Sequence, residues 1–306
     1  MLTIITPMFY AVVSSSISQD NVSSLELQNT WIDDMYMDPE LARALETSEN
    51  SEILDVWLIF HDDDSKSNWL LAHSSLSYQD YEVLPGIFFS SESSTIKRLL
   101  DDDFQVLIKS AWLEREIDTK NWIASSLAPR PSDAPMDAMA SMTNLTEFRN
   151  ETGLDGRGTI ISLLSTGIDG THPDLKFVKN ETGDPVNPKI IANVSFVDWD
   201  PIYNDLHGEG THLAGIVGGT GDASNGTYEG IAPGAQLINA KCVDLLGITL
   251  WHWAVSAVEY SFDHGADIIL VGWNIIGYPG DPLTTAINEI VKKGITVITA
   301  SGSLGP

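Results

Sequence analysis

From Thr143 onward, short apolar runs alternate with longer stretches of helical periodicity, and this alternation constrains the fold more than any other feature of the 306-residue chain. Strands separated by helices pair in parallel, in one sheet flanked by helices, which predicts an α/β architecture. The strand-like runs are Thr159–Leu164, Gln236–Val243, Asp267–Val271 and Ile295–Ala300. Between them, a helix opens at Gly208-Glu209-Gly210 and continues through Thr211–Val217. A second covers Thr249–His264 with Gly265 behind it, and a third covers Pro282–Lys293 and stops at Gly294. Glycine just past a last helical turn supplies the left-handed residue that ends a helix.

The region upstream follows a different order. Ile53–Phe60 reads as a strand bounded by the acidic turn His61–Asp64, and Tyr78–Val83 as a second strand. Ile87–Ser90 is a third after the turn Leu84-Pro85-Gly86, Ser91–Leu100 a helix, and Phe104–Ile108 a closing strand. This order predicts a small α+β module over residues 53–123, with helices on one face of its sheet. Residues 20–52 are polar and acidic, with one helical patch at Pro39–Thr47. Residues 124–142, rich in Pro, Ala and Ser, read as an exposed and easily cut linker.

Composition narrows the class. The chain has 43 Asp and Glu against 16 Lys and Arg, a net charge of -27, which repels nucleic acid and anionic membrane surfaces. A single cysteine, Cys242, allows no intrachain disulfide and is expected as a buried small hydrophobe. Residues 2–13 are apolar and run into Ser14-Ser15-Ser16. They are too short to span a membrane and the right length for a signal-peptide core, although no Lys or Arg precedes them. The segment 1–19 is therefore read as a signal peptide. Six Asn-x-Ser/Thr sequons begin at Asn21, Asn144, Asn150, Asn180, Asn193 and Asn225, where chance would give about two. Together these features predict a secreted or cell-surface glycoprotein.

Four stretches in the second region carry a family resemblance. The first is Gly156-Arg157-Gly158-Thr159-Ile160-Ile161-Ser162-Leu163-Leu164-Ser165-Thr166-Gly167-Ile168-Asp169, continued by His172-Pro173-Asp174-Leu175. The others are Gly208-Glu209-Gly210-Thr211-His212-Leu213-Ala214-Gly215, Gly230-Ile231-Ala232-Pro233-Gly234-Ala235, and the segment from Gly294 to Pro306. In this order and spacing, residues 143–306 resemble part of the subtilase (S8) family of serine proteases. Residues 53–112, with Leu84-Pro85-Gly86-Ile87-Phe88-Phe89-Ser90, more loosely resemble its inhibitory prodomain. The resemblance implies a subtilisin-like parallel sheet, incomplete at its C-terminal side, preceded by a small ferredoxin-like α+β prodomain. It also implies a peptide or protein ligand, with the prodomain itself as one partner.

The same resemblance makes the catalytic chemistry anomalous. A serine protease needs a nucleophilic hydroxyl, an imidazole base, an acid group to orient that base, and donors for the oxyanion. Ser165 stands at the family's Asp position, Glu209 at its His position and Ser303 at its oxyanion Asn position. The family's Gly-Thr-Ser nucleophile motif would fall beyond Pro306. A hydroxyl cannot stabilise an imidazolium electrostatically. A solvent-exposed carboxylate, with an ordinary pKa of ~4.3, is a poor base toward serine. In subtilisin, loss of the Ser or the His alone costs about a millionfold in rate, a property of that relative.

Three substitutes are considered. His207 or His212 could replace the base. Glu209 could act as in the related sedolisins, but the acidic partner one helical turn later is replaced by Leu213. Asp169, at a family position with a structural role, could replace the acid. Trp273-Asn274 replaces the small residues that form one wall of the family's specificity pocket, which leaves Trp273 either in that pocket or in the core. Subtilases often bind Ca2+, and the acidic loop Asp198–Asp205 is the candidate here, although it matches no defined calcium loop. The reading is a pseudoprotease with a binding or regulatory role. The alternatives are a diverged fragment without function of its own, or an endopeptidase completed by residues missing here or by a partner chain.

Overall fold

Capped helices and alternating strands organise both parts of the chain in the computed structural model, which describes residues 2–4, 31–32, 35–118, 143–180, 182–273 and 277–300. The chain divides into two units. The first strand, β1 (Leu2–Ile4), joins the sheet of the C-terminal unit. The N-terminal unit contains β2 (Trp31–Ile32), β3 (Met35–Met37), α1 (Pro39–Thr47), β4 (Ile53–Phe60), α2 (Asp63–Ala72), β5 (Gln79–Asp80), β6 (Gly86–Glu92), α3 (Ser93–Leu100) and β7 (Ile108–Leu113).

The sheet order is β2-β3-β7-β4-β6-β5. From β4 to β7 the elements run strand, helix, strand, strand, helix, strand. The four strands pair antiparallel as β7-β4-β6-β5, which is the ferredoxin-like arrangement. One core gathers Leu41 and Leu45 of α1, Trp69 of α2 and Ile96 and Leu99 of α3 against Val56, Leu58 and Phe60 of β4. Trp57 and Ile59, which alternate with these on β4, are buried too, and Trp57 stacks on Tyr81 with ring centroids 5.1 Å apart.

Several local expectations need correction. The module does not start at residue 53, because β3 pairs in parallel with β7 and α1 contributes to the core. The buried Asp38 accounts for this. It accepts a hydrogen bond from the Leu113 amide, caps α1 through the Glu40 amide, and binds Arg115 at 2.6 Å. The His61–Asp64 turn is instead the start of α2, because Asp62 accepts from the Ser65 amide at 2.7 Å and so caps a helix. Tyr78–Val83 forms only the two-residue β5. Phe104–Ile108 is not a strand. Asp102 binds the Phe104 amide, a 3-10 turn spans Gln105–Leu107, and β7 begins at Ile108. The linker 124–142 and all of the segment 1–19 except residues 2–4 lie outside the described residues.

The C-terminal unit contains α4 (Leu145–Thr152), β9 (Ile160–Ser165), the hairpin β10 (Phe177–Lys179) and β11 (Pro185–Pro188), β12 (Ile190–Ser195), α5 (Glu209–Gly218), β13 (Gln236–Lys241), β14 (Ile248–Leu250), α6 (Trp251–Asp263) and β15 (Ile268–Val271). The chain continues through α7 (Pro282–Lys292) into β16 (Thr296–Ala300). The main sheet has the order β1-β16-β15-β9-β13-β12, and its five strands other than β1 are parallel. Ile117 and Asp118 also belong to this unit, and their strand β8 (Glu116–Asp118) pairs with β14.

β9 is the central strand, buried on both faces as parallel sheets require. Ile161 and Leu163 face Ala214 of α5 in one core, while the Ser162 hydroxyl meets that of Ser261 in α6 at 2.7 Å. The α/β expectation holds, with boundaries moved by one or two residues. The hairpin β10–β11 is short, whereas β12, with Ile190, Ile191, Ala192 and Val194, offers an apolar signal; neither is among the strands expected from the sequence.

Lys189, between β11 and β12, is fully buried, with its ammonium 2.7 Å from the Pro233 carbonyl and close to Gly218 at the end of α5. Burial pulls its pKa from 10.5 down to about 8. Below pH 8 both folded and unfolded chains hold this proton, so it contributes no pH dependence. Between pH 8 and 10.5 only the unfolded chain holds it, so stability rises with pH, by on the order of 3 kcal/mol. Urea titrations of the wild type and Lys189→Met across this range are expected to show the wild type gaining stability relative to the variant.

Candidate functional site

The C-terminal end of β9 and the N-terminus of α5 meet at two glycines. A Cβ on Gly210 would overlap the Gly167 carbonyl oxygen, and the Gly210 amide donates to Thr166 Oγ1 at 3.0 Å. Gly167 has φ +114 and its own Cβ would lie 2.6 Å from the Tyr203 carbonyl. Only glycine fits such a backbone and such a gap. This contact carries Ser165 and Glu209 on its two sides, so the two positions singled out in the sequence lie on adjoining elements.

Asp205 holds the junction together. Its Oδ1 accepts from the amides of His207 at 3.0 Å and Gly208 at 2.8 Å and from the Thr166 hydroxyl at 3.0 Å. Its Oδ2 accepts the amide and hydroxyl of Thr211, at 2.8 and 2.7 Å. A carboxylate here satisfies orphan amides at the start of α5 and complements the helix dipole. In the sequence Asp205 reads only as the end of the acidic loop Asp198–Asp205; the signal for its capping role is its place just ahead of the helix-opening Gly208-Glu209-Gly210.

Glu209 is 7% exposed, which corrects the expectation of an exposed carboxylate. Ser165 is 3% exposed, and its Oγ lies 3.4 Å from where a Cβ on Gly272 would stand, in a position that Leu213 also borders. Among the described residues neither the Ser165 hydroxyl nor the Glu209 carboxylate makes a hydrogen bond or ion pair. Ser303 and Asn274 lie outside the described residues.

The substitutes are placed as follows. His212 is exposed on α5. His207 is half-buried, and its Nδ1 has no partner among the described residues. Asp169 accepts from the hydroxyl and amide of Thr171, at 2.6 and 2.9 Å, and these bonds hold its carboxyl below the usual range. It braces a turn, and among the described residues it forms no ion pair with an imidazole, although the nearby His172 adds a small favourable charge interaction. Trp273 is buried beside Cys242, so it packs in the core. Burial pushes the Cys242 thiol up to about 12, with Trp273 and Thr249 only partly offsetting it.

Imidazole–carboxylate pairs do occur elsewhere. In the N-terminal unit, His73 Nε2 lies 2.6 Å from Asp102 beside a cavity of about 540 Å³ lined by Ser75, Ser77, Ser90 and Ser91. Its Nδ1, however, is 2.8 Å from the Trp69 carbonyl. Both ring nitrogens face acceptors, so neither is left to take a serine proton, as a triad imidazole must. His252 Nε2 lies 3.4 Å from Asp198, which also accepts the Trp253 indole at 3.1 Å.

The aspartates of the acidic loop Asp198–Asp205 are engaged by the protein itself. Asp198 binds Trp253, Asp200 binds the Lys241 ammonium at 2.6 Å, and Asp205 caps α5. Each carboxylate has a protein partner, and among the described residues no cluster of three or more His, Cys, Asp or Glu is arranged to hold a metal.

The subtilase family model matches residues 156–304, and this segment belongs to that family. The chain is 33% identical over 156 residues to an intracellular serine protease of Paenibacillus polymyxa, an alignment covering 49% of this chain and 43% of the relative. It is 34% identical over 190 residues to the serine protease AprX of Bacillus subtilis, covering 58% and 40%. Thermitase of Thermoactinomyces vulgaris is 30% identical over 152 residues, covering 49% and 50%. The chain thus spans half or less of the length of these relatives.

Asp205→Ala is expected to destabilise the protein by about 3 kcal/mol, from loss of a cap and of charge-assisted hydrogen bonds. Urea unfolding checks this, and Asp205→Asn is expected to recover part of the loss.

Proposed function

We propose that the chain is a catalytically silent subtilase homologue, secreted or displayed at the cell surface, that binds a peptide or protein segment. The observation that carries this reading is the pair at the β9–α5 junction, a hydroxyl at 165 and an unpaired carboxylate at 209. In the subtilisin-type triad a serine proton passes to an imidazole held by an acid, and neither side chain supplies one. Even with a nucleophile supplied from outside residues 1–306, its activation would be missing. Binding is supported by β14, which takes an extended strand of the chain itself. The N-terminal unit, ferredoxin-like and directly upstream, acts in this reading as a retained prodomain.

A second reading, an endopeptidase completed by residues outside this sequence, is favoured by the partial span of its protease relatives. Incubation of the full chain with fluorescein-labelled casein separates the two. No hydrolysis above a heat-inactivated control is expected. Turnover that disappears with Glu209→Ala would overturn the silent reading.

Export would also expose the sequons to glycosylation. Asn144, Asn150, Asn193 and Asn225 are exposed, whereas Asn180 is half-buried with its Oδ1 accepting from Thr182 and Asp184. Asn193 Oδ1 likewise accepts from Asn239 and Asn144 Nδ2 donates to Glu147, so among the described sequons glycans are expected at Asn150 and Asn225 and more sparsely at Asn144, Asn180 and Asn193. Peptide mapping before and after endoglycosidase treatment of protein from a eukaryotic secretory host checks this. No helix among the described residues is long and apolar enough to cross a membrane.

A further inference from the structure

The loop joining β12 to α5 is built the wrong way round for a surface loop. Its aspartates bond to the protein, and its large apolar side chains face solvent. Trp199 is 62% exposed, Ile202 56%, Tyr203 47% and Leu206 62%, four such residues within eight positions. Asp200 and Asp205 are spent on Lys241 and on the α5 cap. Scattered exposed apolar residues are ordinary, whereas a concentrated set marks an interaction surface.

The loop is also held rigidly. The buried Lys241 ammonium donates to the carbonyls of Ile202 at 3.0 Å and Asn204 at 3.4 Å, and the buried Asn239 amide to that of Tyr203 at 3.0 Å. Ser195 Oγ donates to the Asp200 carbonyl at 2.6 Å, and Trp199 packs edge-on against Trp253 with centroids 4.6 Å apart. Little ordering entropy remains to oppose docking onto such a loop. A similar arrangement recurs in the next turn along β13. There Asp244 is buried and accepts the amides of Leu246 and Ile248, while Leu245 and Leu246 face solvent.

We propose that residues 199–206 form a docking surface for a polypeptide segment with an apolar centre flanked by Lys or Arg. The apolar centre follows from the four exposed side chains. The cationic flanks follow from charge complementarity, since the Asp198 carboxylate is 68% exposed at the edge of the patch and the chain carries a net charge of -27. This surface is independent of any chemistry at residues 165 and 209, so failure of either idea leaves the other standing.

The test uses the full chain and three short fluorescein-labelled peptides, composed of Leu and Lys, of Ser and Lys, and of Leu and Glu, with binding read by anisotropy at physiological salt. The Leu/Lys peptide is expected to bind, and the combined variant Trp199→Ser, Ile202→Ser, Tyr203→Ser, Leu206→Ser to weaken it at least about tenfold. A control variant, Leu71→Ser with Val106→Ser, removes exposed apolar residues from the other unit and is expected to leave binding unchanged. Should the fourfold variant fail to fold by circular dichroism, Ile202→Ser with Leu206→Ser replaces it. Equal binding of the Ser/Lys peptide, or binding indifferent to the loop substitutions, would overturn the proposal. So would loop-dependent self-association in sedimentation equilibrium, which assigns the face to a second copy. Loop-dependent binding to anionic vesicles would overturn it as well.

Discussion

At the junction of β9 and α5, two backbones touch at a pair of glycines. Gly210 sits against the Gly167 carbonyl, the Thr166 hydroxyl bridges the gap, and Asp205 gathers the free amides of the helix start. The position of α5 on the sheet, the placement of residues 165 and 209, and the course of the preceding loop all follow from this approach. Any side chain at position 210 would push the helix off the strand. The junction is a matter of backbone geometry, and it persists whatever stands at 165 or 209.

That separation divides the junction into a frame and the side chains it carries. The frame consists of Gly167, Gly210, Thr166 and Asp205, which touch or bond to backbone groups. Residues 165 and 209 project from it and contribute little to holding it. A hydroxyl at 165 and a carboxylate at 209 are therefore accommodated without disturbing the fold.

The parallel sheet is legible because β9, β15 and β16 are largely apolar runs separated by helical periodicity, with the Leu237-Ile238 pair marking β13 between its polar residues. The first unit is less so. Asp62 reads as part of an acidic turn until its bond to the Ser65 amide is seen, and then it is a helix cap. Met35–Met37 carries too short a pattern to announce a strand, and its place is fixed by pairing with β7 across a long sequence separation. Residues 165 and 209 were found through motif spacing. Asp205 was hidden because a carboxylate in an acidic loop looks the same in sequence whether it caps a helix, binds a lysine or awaits a cation.

The loop from Trp199 to Leu206 is secured mainly through its own carbonyl oxygens, those of Asp200, Ile202, Tyr203 and Asn204. Carbonyls are common to every amino acid, so most side chains along this segment are free to change while the path of the chain stays put. Recognition can drift there through point substitutions, without insertions and without reopening the core. Lys241 and Asn239 act as a fixed socket beneath an interchangeable surface.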